Sequence, residues 1–112
     1  MLKDNMKLVG KLSIAINDEV VQEVNNLVVT TGKNFVASRI KDATASAMSH
    51  MAIGTGSTSP AAGDTALGNE SARVALTSTT VTNADVAYVA SFGAGTGTGA
   101  ITEAGLFNAS SS

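Results

Sequence analysis

The chain has 112 residues and a mass of 11.2 kDa, room for one modest hydrophobic core, so it is read as a single folding unit over residues 1–108 followed by a flexible Ser-rich tail at 109–112. Only 14% of its residues are charged, the net charge is -2 and the pI is about 5.1, so there is no basic field to attract a phosphate backbone and nucleic acid is not expected as a partner. The absence of cysteine excludes disulfide staples, thiolate metal sites and a Cys nucleophile, and the apolar stretches fall far short of the roughly 20 residues that cross a bilayer.

From Lys7 to Ile16 the residues alternate, with Leu8, Gly10, Leu12, Ile14 and Ile16 on one side, which predicts a half-buried strand. Asn17, Asp18 and Glu19 suit a reversal, and Val20 to Val24 returns as a second strand, so the chain is expected to begin with a hairpin. Thr30 or Thr31 is placed to cap a helix of about three turns between Gly32 and Asp42, with Phe35, Val36 and Ile40 close to one face. Its cations, Lys33, Arg39 and Lys41, suit solvent and the helix dipole. With Lys3, Lys7 and Lys11 they leave Arg73 as the one cation after residue 41. The amino terminus lacks the basic segment, apolar run and cleavage site of a secretory signal, so neither export nor a membrane partner is expected.

Ala43 to Ser49 reads as a connection and Met48 to Ile53 as another alternating strand. That strand enters the longest loop, Gly54 to Asp64, where glycine and proline prevent its continuation. Asp64 is positioned to cap a single helical turn through Leu67. Two Thr- and Val-rich strands, Ser71 to Thr82 and Asp85 to Phe92, are joined at Asn83-Ala84. A glycine run from Gly93 to Gly99 leads into a last strand, Ala100 to Asn108, with Ile101, Glu103, Gly105 and Phe107 on one face. About six strands with one short helix predict a mainly β fold, a small β-sandwich or flattened barrel with the helix covering one opening. Aromatic residues make up 4% and Trp is absent, so the core rests on Val, Ile, Leu, Ala and Met, and the chain gains by burying further surface against neighbours.

The candidate chemistry is sparse. The run Gly95-Thr96-Gly97-Thr98-Gly99 lacks the Lys-Ser/Thr and following helix of a phosphate cradle, and Gly54 and Gly56 lack them too, so no cofactor is expected. His50 is the lone histidine, without a serine on a Gly-x-Ser-x-Gly turn, and reads as a wall or contact residue rather than a catalyst. One His and scattered carboxylates make no metal site. Glu103 shares a face with Ile101 and Phe107, where alternation places core. A charge there requires a cation or several backbone amides, with Arg73 the candidate cation and Glu70 its competitor, unless that face is an edge open to water.

Two stretches carry a resemblance. Met51-Ala52-Ile53-Gly54-Thr55-Gly56 runs through Asp64-Thr65-Ala66-Leu67 to Glu70 and Arg73, and Glu103-Ala104-Gly105-Leu106-Phe107 follows later. Together they resemble a group of tailed-bacteriophage virion proteins that includes the amino-terminal domains of tail-collar fibres. The first hairpin and the Thr-Gly-Lys-Asn-Phe helix start are similar as well, so the likeness spans most of the chain. The resemblance implies a non-enzymatic particle component that holds other virion proteins together, in a virion assembled in the bacterial cytoplasm, often as a homo-oligomer such as a trimer. Relatives of this kind continue past the Gly-Leu-Phe strand into at least two more strands, so the sheet here is expected to have an edge that a neighbour or a continuation fills.

The first reading is therefore a tail-associated structural protein at a collar, fibre or baseplate attachment, in which Ile53 to Arg73 and Ile101 to Phe107 build the frame and mobile Gly-rich loops make contacts. A capsid decoration or cement protein of the phage head is the alternative. A carbohydrate-binding module is a third reading of another class, for which Tyr88, Phe35, Phe92 and Phe107 are a thin supply of stacking faces.

Overall fold

The computed structural model of the chain describes residues 7–17, 19–97 and 99–111. Lys3 of the basic amino-terminal group, Asp18 of the first turn, Thr98 of the glycine run and Ser112 of the tail lie outside the described residues. In chain order the elements are β1 (Gly10–Ile16), β2 (Glu19–Asn26), α1 (Thr30–Lys41), β3 (His50–Gly54), β4 (Glu70–Ala75), β5 (Ser78–Thr82), β6 (Asp85–Val89) and β7 (Glu103–Phe107). Among the described residues the fold is mainly β, as the alternation predicts, with seven strands in three small sheets of order β1-β2, β4-β3-β7 and β5-β6, none of which closes into a barrel. The described residues fall into two compact units, one reaching to Asp42 and including Pro60–Thr65, the other formed by Ala43–Ser59 and the residues from Ala66 onward.

In the first unit β1 and β2 pair antiparallel from Gly10↔Asn26 to Ile16↔Glu19. Asn17, at φ 52, takes the left-handed conformation that asparagine tolerates at a reversal. The register shifts between Ile14 and Ala15, because Gln22 and Val20 find partners while Val21 between them does not. Leu12 and Ile14 are half-buried and their neighbours exposed, so β1 keeps the predicted alternation as far as Ile14, but Ile16, expected on the same side, is 60% exposed beyond the register shift, and every residue of β2 is exposed.

Helix α1 starts earlier than its threonines suggest. Val29 occupies the cap position without a side-chain bond, and Thr30 and Thr31 are already helical. A threonine cap is dispensable because the Thr30 amide donates to the Ala62 carbonyl at 2.7 Å, which satisfies one of the helix's orphan donors. Arg39 and Lys41 fall in the last turn, as the dipole favours, and Ala43, at φ 56, takes the chain out of the helix. Phe35 and Val36 are half-buried but no residue of α1 is fully buried, and Ile40 is 68% exposed. Val36, Ala37 and Ile40 line an open hollow with Leu8. The expected helical turn at Asp64 is absent: Asp64 closes a tight turn instead, its amide donating to the Ala61 carbonyl at 3.0 Å and its carboxylate accepting from the Ala61 amide at 2.9 Å.

In the second unit β3 is the central strand, antiparallel to β4 on one side and to β7 on the other. The single strand predicted from Ser71 to Thr82 divides into β4 and β5 because the chain changes partners. The Leu76 amide still donates to Ser49 beside β3, while the Thr77 amide turns to the carbonyl of Val89 on β6. Asn83, at φ 53, supports the predicted turn between β5 and β6, which pair from Ser78↔Val89 to Thr82↔Asp85. Ala52, in the middle of β3, is the one fully buried apolar residue among those described.

Candidate functional site

Strand pairing places most of the motif residues on one face of the β4-β3-β7 sheet. Ala52 of β3 stands between Arg73 of β4 and Gly105 of β7, and one step along, His50 stands between Ala75 and Phe107. At the other end Gly54 is flanked by Glu70 and Glu103. Side chains alternate along a strand, so Glu103, Gly105 and Phe107 share this face, as their spacing predicts. Met51, Ile53, Ala72, Val74, Ala104 and Leu106 supply the other face.

Ala52 and Gly105 are small enough to leave a trough along the face. The Arg73 side chain occupies it, with its guanidinium carbon 3.8 Å from the centre of the Phe107 ring. Glu70 holds the guanidinium in a two-pronged grip, at 2.6 Å and 3.1 Å, and the third nitrogen donates to the Ala109 carbonyl at 3.1 Å. The Arg73 side chain is thereby 5% exposed against 32% for Glu70. A Cβ on Gly105 would stand 3.1 Å from the Phe107 ring and 3.3 Å from Leu67, so the absence of a side chain there lets Leu67 and Phe107 close over the strand.

Glu103 does not pair with Arg73. Its half-buried carboxylate accepts the amides of Gly56, Gly68 and Asn69, each at 2.7 Å. Of the two partners open to Arg73 and Glu103, Glu70 takes the cation and backbone amides take Glu103. The Asn69 amide first of all holds the Glu103 carboxyl below its ordinary value of 4.5; partial burial opposes it, and the amides of Gly68 and Gly56 add to the lowering. The approach requires glycine. A Cβ on Gly56 would stand 2.5 Å from a Glu103 oxygen, and one on Gly54 would fall on the Asn69 carbonyl and the same carboxylate. Thr102, one residue before Glu103, donates its hydroxyl to the Gly56 carbonyl at 2.6 Å. Thr55 and Asn69 bond each other twice, amide to carbonyl at 3.0 Å and side chain to side chain at 2.7 Å.

The structure thus gathers Gly54, Gly56 and Glu103 at one end of the face, and Leu67, Glu70, Arg73, Gly105 and Phe107 along it. Ile53 lies on the opposite face, against the left-handed Gly97. Leu106 is on that face too and is 37% exposed. Asp64 belongs to the first unit. Gly68, Asn69 and Thr102 are the participants that sequence reasoning passes over. They act mainly through backbone atoms or a short hydroxyl, and the one signal for them is the Gly68-Asn69 pair just before Glu70.

No family model, curated protein or solved structure matches the chain. The chemistry of the site is accordingly read from its geometry. Glu70, Arg73 and Glu103 are engaged with one another's strands and loops, and Asp64 with its own turn. The His50 ring nitrogen Nδ1 stands 2.7 Å from the hydroxyl of its neighbour Ser49, at the opposite end of β3 from Glu103. Among the described residues no three His, Asp or Glu side chains gather as metal ligands, and no helix is long and apolar enough to cross a membrane.

Proposed function

We propose that the chain is a non-catalytic structural component of a tailed-bacteriophage particle, tail-associated at a collar, fibre or baseplate attachment, where it holds other virion proteins together. The observation that carries this reading is the use to which the motif's polar residues are put. Glu70, Arg73 and Glu103, the groups with the most chemistry to offer, tie strands and loops of one sheet together. A frame of this kind accounts for the order and spacing behind the resemblance without invoking turnover.

The exposed apolar strands support the adhesive part of the reading. Val20 and Val21 on β2 are 62% and 56% exposed, and Val81 on β5 and Val86 on β6 are 69% and 47% exposed. A two-stranded hairpin is marginally stable on its own, and surfaces of this kind gain from association with companions, including further copies of the chain. Quantitative mass spectrometry of particles purified from lysates of the producing cells tests the proposal. The chain should be found in the particle at tens of copies or fewer. Hundreds of copies would move it to the head as a decoration protein, and its absence from purified particles would refute both.

A further inference from the structure

We propose that Glu103 is a latch for the loop between β3 and β4. While its carboxylate is charged and seated, it pins both feet of that loop, Thr55–Gly56 and Gly68–Asn69, to the start of β7, and loss of the charge frees the two feet together while the three-stranded sheet stays paired. The inference does not depend on the particle reading.

Three observations carry it. One carboxylate is shared by amides from both feet, with Gly56 donating from the outgoing foot and Gly68 and Asn69 from the returning one. The feet are bonded to each other through Thr55 and Asn69, so they move as one body. The ladders that join β3 to β4 and β7 are formed by backbone groups and make no use of the Glu103 side chain. A neutral carboxyl or carboxamide in the same place presents a donor to a cradle built of donors, and cannot satisfy three amides.

The surroundings leave this carboxylate as the charge that matters there. Gly54 and Thr55 at the end of β3, Gly56, Gly68 and Asn69 in the loop, and Thr102 before β7 are uncharged. Glu70 on β4 is held by Arg73, Asp64 within the loop by the Ala61 amide, and His50 stands at the far end of β3 beside Ser49. The amides favour the charged form, so the folded carboxyl titrates below 4.5. The latch is therefore fully closed above that value and opens as the pH falls through the folded one.

Amide hydrogen exchange on the full chain tests the latch. In Glu103→Gln at neutral pH, protection at Gly56, Gly68 and Asn69 should fall about tenfold or more, while amides in the β3 ladders keep theirs. In Glu103→Ala, added formate should restore protection at the same three amides where chloride at equal ionic strength does not. Should either variant fail to fold, the natural chain, acidified stepwise from about pH 6 until protection is lost, should lose it at the feet before the sheet. Unchanged protection in Glu103→Gln, or feet and sheet opening together in every arm, would overturn the proposal.

Discussion

Arg73 carries a full charge with its side chain almost out of solvent, and two contacts make that tolerable: the fork onto Glu70 and the flat approach to the Phe107 ring. Arg73→Ala removes both and leaves Glu70 without its cation, though still partly in water. The expected loss is about 2 kcal/mol, less than for a fully buried pair. Arg73→Lys should recover less than half of it, since an ammonium offers neither the fork nor the planar stack. Urea denaturation measures both, and an unchanged midpoint in Arg73→Ala would contradict the arrangement. Gly54→Ala is expected to cost about 2 kcal/mol by overpacking, because its Cβ meets the Asn69 backbone rather than a side chain that can swing away.

Among the elements, the two hairpins are legible in the sequence: β1 with β2 from the alternation of β1 and the turn at Asn17, and β5 with β6 from Thr- and Val-rich text around the turn at Asn83. Asn83 predicts its own substitution. Asn83→Val places a β-branched side chain at φ 53 and should lower stability by about 1–2 kcal/mol, whereas Asn83→Gly should be nearly neutral, as read by thermal denaturation. What was not legible depends on partners distant in sequence. The break between β4 and β5 falls at Leu76-Thr77, where no glycine or proline marks it, because the switch from Ser49 to Val89 as acceptor is a tertiary event. The helix start is hidden from the sequence for a similar reason, since the Ala62 carbonyl satisfies the Thr30 amide and no threonine side chain is needed as a cap. In the site, the face shared by Glu103, Gly105 and Phe107 followed from period two, but the choice of amides over Arg73 required the loop to be in place. Within the glycine run, Gly97 lies so close to Ile53 that a Cβ added there would collide with it, a contact that no pattern in the run announces. On the β5–β6 hairpin, the adhesive role proposed above predicts that Val86→Lys leaves the circular dichroism spectrum unchanged and lowers the yield of cross-linked oligomers relative to the natural chain.

For the molecule as a whole, Ala52 is the one fully buried apolar residue among those described and the rest of the core is half-buried, so folding leaves much hydrocarbon facing water. Stability should then depend on association, and the melting temperature should rise with protein concentration. Scanning calorimetry over a hundredfold range checks this, and a constant melting temperature would contradict it. The clasp also bears on the order in which the parts form. Gly56 and Glu103 are 47 residues apart, whereas the strands of each hairpin are neighbours along the chain. Hairpins close in microseconds, and distant pairings wait on the entropy of a long loop. On the ribosome the first hairpin can therefore emerge and zip while the central sheet still lacks its third member. β7, which follows the other described strands along the chain, carries the Glu103 carboxylate that fastens both feet of the β3–β4 loop, so the central sheet is completed after the hairpins.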